Sequence, residues 1–188
     1  MLKKDRSLPE ILNAEECRRL FRVSSRLRDR VILSLMYSAG LRNCKLPALR
    51  VKDIDSGRML IHIRRSKNRK DRCVPLSRLI LQGLRKYYRQ ERPQDFLFPG
   101  EREGSPLSSG TLSQILRRAV SRSGIRRKIT LHTLRHTYAI HLPEMGVDIL
   151  RVKELLGHAD IRTTMLYLQV MNLSAKKAFS PFDRLCRK

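Results

Sequence analysis

The sequence lacks tryptophan altogether, and only 5% of its residues are aromatic. It also lacks a run of about 18 consecutive apolar residues, the length that a membrane-spanning helix needs, which argues against a membrane protein. Cysteine is scarce, and no C-x-x-C pair is present; the four cysteines are Cys17, Cys44, Cys73 and Cys186. This spacing is typical of reduced thiols in a cytoplasmic protein and does not match a zinc site.

Acidic residues are also few. The chain has 17 Asp and Glu against 41 Lys and Arg, which gives a formal net charge of +24, and the basic residues occur along the whole chain. The many positive charges repel one another unless the protein binds a polyanion. The composition therefore indicates a nucleic-acid partner. It does not distinguish a DNA-binding protein from a ribosomal or other RNA-binding protein. The length of 188 residues suits one domain with a sizeable core.

The most distinctive chemistry of the chain is concentrated in residues 131–167. His132 and Arg135 are three residues apart, so on a helix they lie on one face, one turn from each other. A second helix is predicted to begin after Asp148, a favourable N-cap. It is followed by the sequence Gly-His, and Tyr167 lies nine residues beyond that histidine. Adjacent short helices can therefore bring two histidines, an arginine and a tyrosine to one pocket.

Three segments, in this order, resemble the conserved boxes of the tyrosine recombinases, also called the phage integrase family. His-x-x-Arg, then Leu-Leu-Gly-His, then a tyrosine nine residues on, is similar to the second box of that family. Upstream, YSAGLR (37–42) resembles its first arginine box, and SKNRKDRCVPL (66–76) resembles its lysine-bearing β-hairpin. The resemblance covers the chain from about Leu8 to the C-terminus. It implies an α/β catalytic domain that is mainly helical with a small antiparallel β-sheet.

The resemblance implies a catalytic set of six residues: Arg42, Lys67, His132, Arg135, His158 and Tyr167. The two arginines would offer N–H donors to phosphoryl oxygens, and the two histidines would move protons near neutrality. The lysine would protonate the departing 5′ oxygen. The tyrosine has a reference pKa of about 10 and needs cationic surroundings to attack as a phenolate-like group. This arrangement requires no metal, and no cofactor is expected.

The function implied by the resemblance is site-specific recombination or integration of double-stranded DNA. Strands would be cut through a 3′-phosphotyrosine linkage and rejoined without ATP, in a homo-tetramer on paired DNA sites, although the isolated domain could be monomeric. The expected location is the cytoplasm of a bacterium, on the nucleoid, with a bacterial or phage gene. Two alternatives stay open. One is a catalytically weak or silent DNA-binding protein of the same fold, and the other is a type IB topoisomerase-like nicking and resealing enzyme.

The loop between the predicted strands, RRSKNRKDR, is rich in basic residues. Its predicted DNA-binding residues are Arg64, Arg65, Arg69, Lys70 and Arg72. A solvated basic hairpin that touches only phosphates is the alternative interpretation of this loop. Lys70 also remains an alternative to Lys67 as the catalytic lysine.

Two residues depart from the family pattern close to the first arginine box. Lys45 stands three residues after Arg42, where the family usually has an acidic residue, and Pro47 is unusual in what is normally a helical turn. If the acidic residue normally orients the arginine, its loss should loosen the guanidinium or change its partner.

Periodicity and capping signals predict the other elements. Helices are expected at about 13–21, 28–39, 78–91 and 111–123, and an antiparallel strand pair is expected between residues 59 and 76. Pro143 should interrupt the helix of His132 near its end. His132 and His136 have a spacing that can bind zinc, but Arg135 lies beside them and the glutamate of H-E-x-x-H is missing, so a metal site is disfavoured.

The expected domain organisation has three parts. Residues 1–12 are expected to be a lead-in or linker from a missing N-terminal DNA-binding domain, which normally precedes this position in the family. Residues 13–170 would form the catalytic domain. Residues 171–188 would be a C-terminal tail that packs on its own protomer or on a neighbouring one.

We predict salt-sensitive DNA binding with little sequence preference, because contacts to phosphates dominate the affinity of such a basic surface. A protein that makes 6–10 phosphate contacts should lose about 10³–10⁵ in affinity between 50 and 200 mM salt. Fluorescence anisotropy of labelled duplexes of different sequence, at a series of salt concentrations, measures both properties. Binding that survives high salt and discriminates strongly between duplexes would contradict the prediction.

Overall fold

The computed structural model describes residues 10–64, 71–158 and 160–170. Seven α-helices, one 3₁₀ helix (Val51–Asp53) and a small sheet occur in these ranges. The elements are α1 (Ala14–Arg22), α2 (Leu27–Ser38), β1 (Ile54–Asp55), β2 (Leu60–Ile63), β3 (Arg72–Pro75), α3 (Arg78–Glu91), α4 (Ser109–Ser123), α5 (Leu131–Glu144), α6 (Ile149–Leu156) and α7 (Arg162–Val170). This architecture confirms the predicted mainly helical α/β class.

Side-chain caps set the helix ends that the sequence indicated. At the start of α1 the Asn13 side chain accepts from the Glu16 N–H at 2.8 Å, and the Glu16 carboxylate accepts from the Asn13 N–H at 2.8 Å. This pair is a capping box. Asp148 caps α6 by accepting from the Leu150 N–H at 2.8 Å, and Gly157 ends it with a left-handed φ of 62°.

Helix α2 lies in the middle of the main hydrophobic core. Apolar side chains on several sides of it are fully buried, and it packs against α1, α3 and α5. A helix that is apolar on most sides must be covered on most sides, which fixes it as the central element. Further members of this core come from α1, α3, α4, α5, α6, the inward face of the sheet and several connecting segments.

The sheet has three antiparallel strands in the order β1-β2-β3. Ile61 and Ile63 of β2 are buried, as the predicted alternation requires, and Ile61 pairs with Val74 of β3. Met59, expected to be in the strand, precedes it with a φ of +57°. The two-residue strand β1 was not predicted, because it is too short to show alternation. The tip of the hairpin, residues 65–70, lies outside the described residues and includes the predicted Arg65, Lys67, Arg69 and Lys70.

A second, smaller core joins α5 to the last two helices. Its buried members are Tyr138, Ala139, Ile140, Val152, Leu156 and Tyr167. Helix α5 is buried on most of its circumference, and it packs against α2 on one side and against α6 and α7 on the other. It ends at Glu144, one residue after Pro143, so the predicted interruption lies in its last turn.

The two chain ends were predicted to be a lead-in and a tail. Residues 1–9 and 171–188 lie outside the described residues, so both expectations remain predictions. Leu12 is fully buried, and its N–H donates to the Thr137 hydroxyl of α5 at 3.0 Å. Along the described ranges, no helix has the length and apolarity that crossing a membrane requires.

Gly40 ends α2 and turns the chain towards Arg42. Its φ is +54°, and a Cβ built there would clash with the Tyr138 ring, which is itself buried. Such a contact is too short for carbon atoms, so the position needs glycine for both its dihedral angle and its lack of a side chain.

We expect Gly40→Ala to lower the free energy of unfolding by about 2–5 kcal/mol, the sum of a left-handed alanine and an overpacked core. Gly104→Ala is the matched control, because its φ is +69° but a Cβ there meets nothing within 4 Å. It should cost only about 1–2 kcal/mol. Denaturant unfolding measures both, and equal losses would contradict the role given to the Tyr138 contact.

Candidate active site

Arg135 occupies the centre of the site and is 4% exposed. One guanidinium nitrogen, Nη1, donates to the carbonyl of Gly40 at the end of α2. The other, Nη2, donates to the carbonyl of Leu156 at 2.7 Å and lies 3.0 Å from Nε2 of His158. The planar fork of the guanidinium thus joins α5 to two separate turns, a task for which lysine has the wrong geometry.

Burial is the main cause that lowers the pKa of Arg135, to about 10, and the positive charges of Arg42 and Arg72 lower it further. The guanidinium therefore stays charged at neutral pH. Arg42 follows the Gly40 turn and is partly buried. Its positive charge acts to lower the pKa of Arg135, His158 and Tyr167.

The contacts of His158 fix its tautomer. A guanidinium has donors only, so Nε2 of His158 must accept from Arg135. The proton is then on Nδ1, which lies 3.0 Å from the Thr164 hydroxyl of α7 and donates to it. Burial first, and then the nearby arginines, lower the pKa of His158 to about 4. His158 is therefore neutral at pH 7 in the free protein, and not near its titration point as the sequence analysis expected.

Tyr167 projects from α7 into the same pocket and is 5% exposed. Its ring stacks on the imidazole of His158, with centroids 6.1 Å apart and planes 19° apart. Its hydroxyl oxygen lies 3.0 Å from Nδ1 of His136. Burial raises the pKa of Tyr167, and the charges of Arg135 and Arg42 only partly offset this. The phenol is therefore protonated in the free protein despite its cationic surroundings.

His132 lies at the edge of the site. It is exposed on the first turn of α5, and its ring centroid is 6.3 Å from that of His136. It also lines a cavity of about 490 Å³ between α4 and the start of α5, together with Arg117, Arg127 and Lys128. A cavity with three cations and a histidine is suited to an anionic group.

Lys45 makes a contact that an acidic residue could not make. The ammonium group of Lys45 donates to the carbonyl of Arg64 at 3.0 Å. The backbone N–H of Lys45 donates to the carbonyl of Arg42 at 2.8 Å. The lysine thus ties the arginine turn to the end of β2. No helical turn forms around Pro47, where the chain makes simple turns instead.

The two described members of the predicted DNA-binding set differ in their surroundings. Arg64 is paired through Nε with the buried carboxylate of Asp53 at 2.7 Å, so part of its guanidinium has a structural partner. Arg72 lines a cavity of about 440 Å³ together with His158. Its charge lowers the pKa of both His158 and Arg135. Arg72 therefore lies beside His158 and not only on the hairpin surface.

The structure brings together four of the predicted catalytic residues: Arg42, Arg135, His158 and Tyr167. It adds His136 and Thr164, which the sequence analysis did not assign to the site. In the sequence, His136 is distinguished only by its position four residues after His132. That spacing suggests a possible zinc site and does not indicate a contact with Tyr167. Within the described ranges, no three His, Cys, Asp or Glu side chains converge as metal ligands would.

The depressed pKa of His158 predicts a pH dependence of stability. An imidazole with a pKa of about 4 when folded and about 6.5 when unfolded binds more protons in the unfolded state between these values. The contribution of His158 to the free energy of unfolding is therefore complete above about pH 6.5 and is lost as the pH falls towards about 4. His158→Asn, which can still bond to Thr164 but does not titrate, should show a smaller loss of unfolding free energy over this range in denaturant titrations. Parallel pH profiles would contradict the assignment.

Comparison with known proteins gives the family. The profile of the Phage integrase family matches residues 10–173. A putative integrase/recombinase, y4qK, of Sinorhizobium fredii is 38% identical over 185 residues, which cover 98% of this chain and 60% of that protein. Tyrosine recombinase XerA of Thermococcus onnurineus is 39% identical over 181 residues, 94% of this chain and 64% of that protein. The chain thus spans less than two thirds of the length of these two relatives.

Solved structures agree. A crystal structure of XerA recombinase superposes with a TM-score of 0.82 at 28% identity, over 95% of this chain and 68% of that one. XerH site-specific recombinase, in a pre-cleavage complex with its difH substrate, superposes with a TM-score of 0.76 at 28% identity, over 86% of this chain and 50% of that one. The motifs, the fold and these similarities lead to one conclusion: the chain belongs to the phage integrase family and is a tyrosine recombinase catalytic domain.

Proposed function

We propose that this domain cuts and rejoins strands of double-stranded DNA in site-specific recombination, with Tyr167 as the nucleophile. One observation carries the proposal. The Tyr167 ring stacks on His158, whose Nε2 accepts from the buried guanidinium of Arg135. The charges of Arg135 and Arg42 also act on the Tyr167 phenol, against the effect of its burial.

The chemistry follows from these groups. The phenolic oxygen attacks the phosphorus, the bond to the 5′ oxygen breaks, and Arg42 and Arg135 stabilise the charge on the nonbridging oxygens. We assign the proton for the 5′ oxygen to Lys67, which lies outside the described residues. The products are a 3′-phosphotyrosine and a free 5′-hydroxyl. Because the linkage conserves the bond energy, a 5′-hydroxyl of a second strand can reverse the step without ATP.

DNA is the proposed partner because the domain carries a large excess of cations, some of them next to the site. Arg117, Arg127 and Lys128 line the cavity that also includes His132. A backbone phosphate in that cavity would place the duplex across the start of α5. The similar XerH structure contains a bound DNA substrate, which supports the same partner here. A tetramer on two DNA sites and a cytoplasmic location complete the proposal.

The test is covalent capture. Wild type, Tyr167→Phe and Tyr88→Phe would be incubated with nicked suicide duplexes drawn from the DNA that flanks the gene, and denaturing electrophoresis would detect protein–DNA adducts. Tyr88 is an exposed tyrosine of α3 and serves as the matched control. We expect adducts with wild type and Tyr88→Phe and none with Tyr167→Phe. Binding without an adduct would favour a silent DNA-binding protein, whereas an adduct with Tyr167→Phe would reject Tyr167 as the nucleophile.

A further inference from the structure

The imidazole of His136 is at hydrogen-bonding distance from the hydroxyl oxygen of Tyr167, the proposed nucleophile. Its Nδ1 lies 3.0 Å from the hydroxyl of Tyr167, and the two ring centroids are 5.6 Å apart. The imidazole is half-buried between α5 and α7. The titratable and charged groups around it are His132 and Arg135 on α5, Tyr167 on α7 and His158 after α6.

The protonation states of this pair follow from its surroundings. Burial, and then electrostatic interactions with His132 and Arg135, lower the pKa of His136, so the imidazole is neutral at pH 7. Burial raises the pKa of Tyr167, so the phenol keeps its proton. A neutral imidazole has one donor and one acceptor nitrogen. If Nδ1 is the acceptor, the phenol donates to it, and the imidazole proton lies on Nε2.

His158 is less suited to take the proton from Tyr167. Its Nε2 already accepts from Arg135, and its Nδ1 carries a proton that Thr164 accepts. Its ring lies nearly parallel to that of Tyr167, with the centroids 6.1 Å apart. His132 is one helical turn further away and faces solvent. Of these three histidines, His136 is therefore the one with a ring nitrogen at hydrogen-bonding distance from the Tyr167 hydroxyl.

We propose that His136 is a catalytic residue, the general base that accepts the proton of Tyr167 during strand cleavage. The inference rests on the proposed function. The phenolic O–H bond breaks and its proton moves to Nδ1 of His136, while the same oxygen forms the bond to phosphorus. The bond to the 5′ oxygen breaks, and that oxygen takes a proton from the general acid assigned to Lys67. During rejoining, the imidazolium of His136 returns its proton to the departing phenolate.

The arriving phosphate makes this transfer more favourable. In the free protein burial, and then the neighbouring charge of Arg135, disfavours an imidazolium at His136, so the base is unprotonated while Tyr167 keeps its proton. A phosphodiester bound between the two arginines brings a negative charge into the pocket. This charge partly neutralises the cations and stabilises the imidazolium. His136 thus becomes a stronger base when the DNA backbone is in place.

The first test is direct observation of the proton. Long-range ¹H–¹⁵N spectra of the histidine side chains, assigned with His136→Asn, report which nitrogen is protonated. We expect the Nε2–H tautomer for His136 in the wild type, and we expect Tyr167→Phe to shift the Nδ1 resonance because its hydrogen bond is lost. An Nδ1–H tautomer would overturn the inference, since His136 would then donate to Tyr167 and could not accept its proton.

The second test is kinetic. Asparagine can keep a hydrogen-bonding group near the position of Nδ1 but cannot take a proton, so His136→Asn separates positioning from base catalysis. Loss of a general base typically costs 10²–10⁴-fold in rate, and we expect a loss of that size in adduct formation on a suicide duplex. The rate of the variant should keep rising with pH where that of wild type levels off. Fluorinated tyrosine at position 167, with its more acidic phenol, should restore the variant more than it accelerates wild type.

The outcomes are distinguishable. An active wild type that His136→Asn matches in rate and pH profile would overturn the inference alone. A slower variant with an unchanged pH profile and no rescue by fluorotyrosine would also overturn the inference, because that pattern is expected of a residue with a purely structural role. A wild type that binds DNA but forms no Tyr167 adduct would defeat the proposed function and this inference with it.

Discussion

The buried guanidinium of Arg135 is the interaction on which the rest of the site depends. It donates to the carbonyls of Gly40 and Leu156 and to His158, so one side chain holds the end of α2, the end of α6 and α5 in one arrangement. A buried charge is costly unless it is hydrogen-bonded, and here backbone carbonyls supply the bonds. These hydrogen bonds offset the cost of burying the charge, and they also hold the guanidinium in a fixed position.

The helix boundaries could be predicted from the sequence because they depend on local signals. Asn13 with Glu16, and Asp148 with Gly157, cap their helices through residues close in sequence. The short β1 gave no such signal, since its pairing with β2 depends on tertiary contacts. Four of the six predicted catalytic residues cluster in the structure, His132 lies at the edge of the cluster, and Lys67 lies outside the described residues.

The contacts of Lys45 and His136 could not be predicted, because both depend on residues that are distant in sequence. Lys45 differs from the family pattern, and only the fold shows that it reaches the carbonyl of Arg64 and links the arginine turn to the hairpin. His136 meets Tyr167 across the interface of α5 and α7. Spacing along the helix predicted only that His132 and Arg135 share a face of α5, and it carried no information about what packs against that helix.

Tyr167 and the cationic cluster are carried by different parts of the chain. Tyr167 belongs to α7, whereas Arg42 and Arg135 belong to the α2 turn and to α5. Burial keeps the phenol of Tyr167 protonated in the free protein. Under the proposed function, the domain would therefore be chemically quiet until a phosphate enters the site, since its nucleophile would still carry a proton.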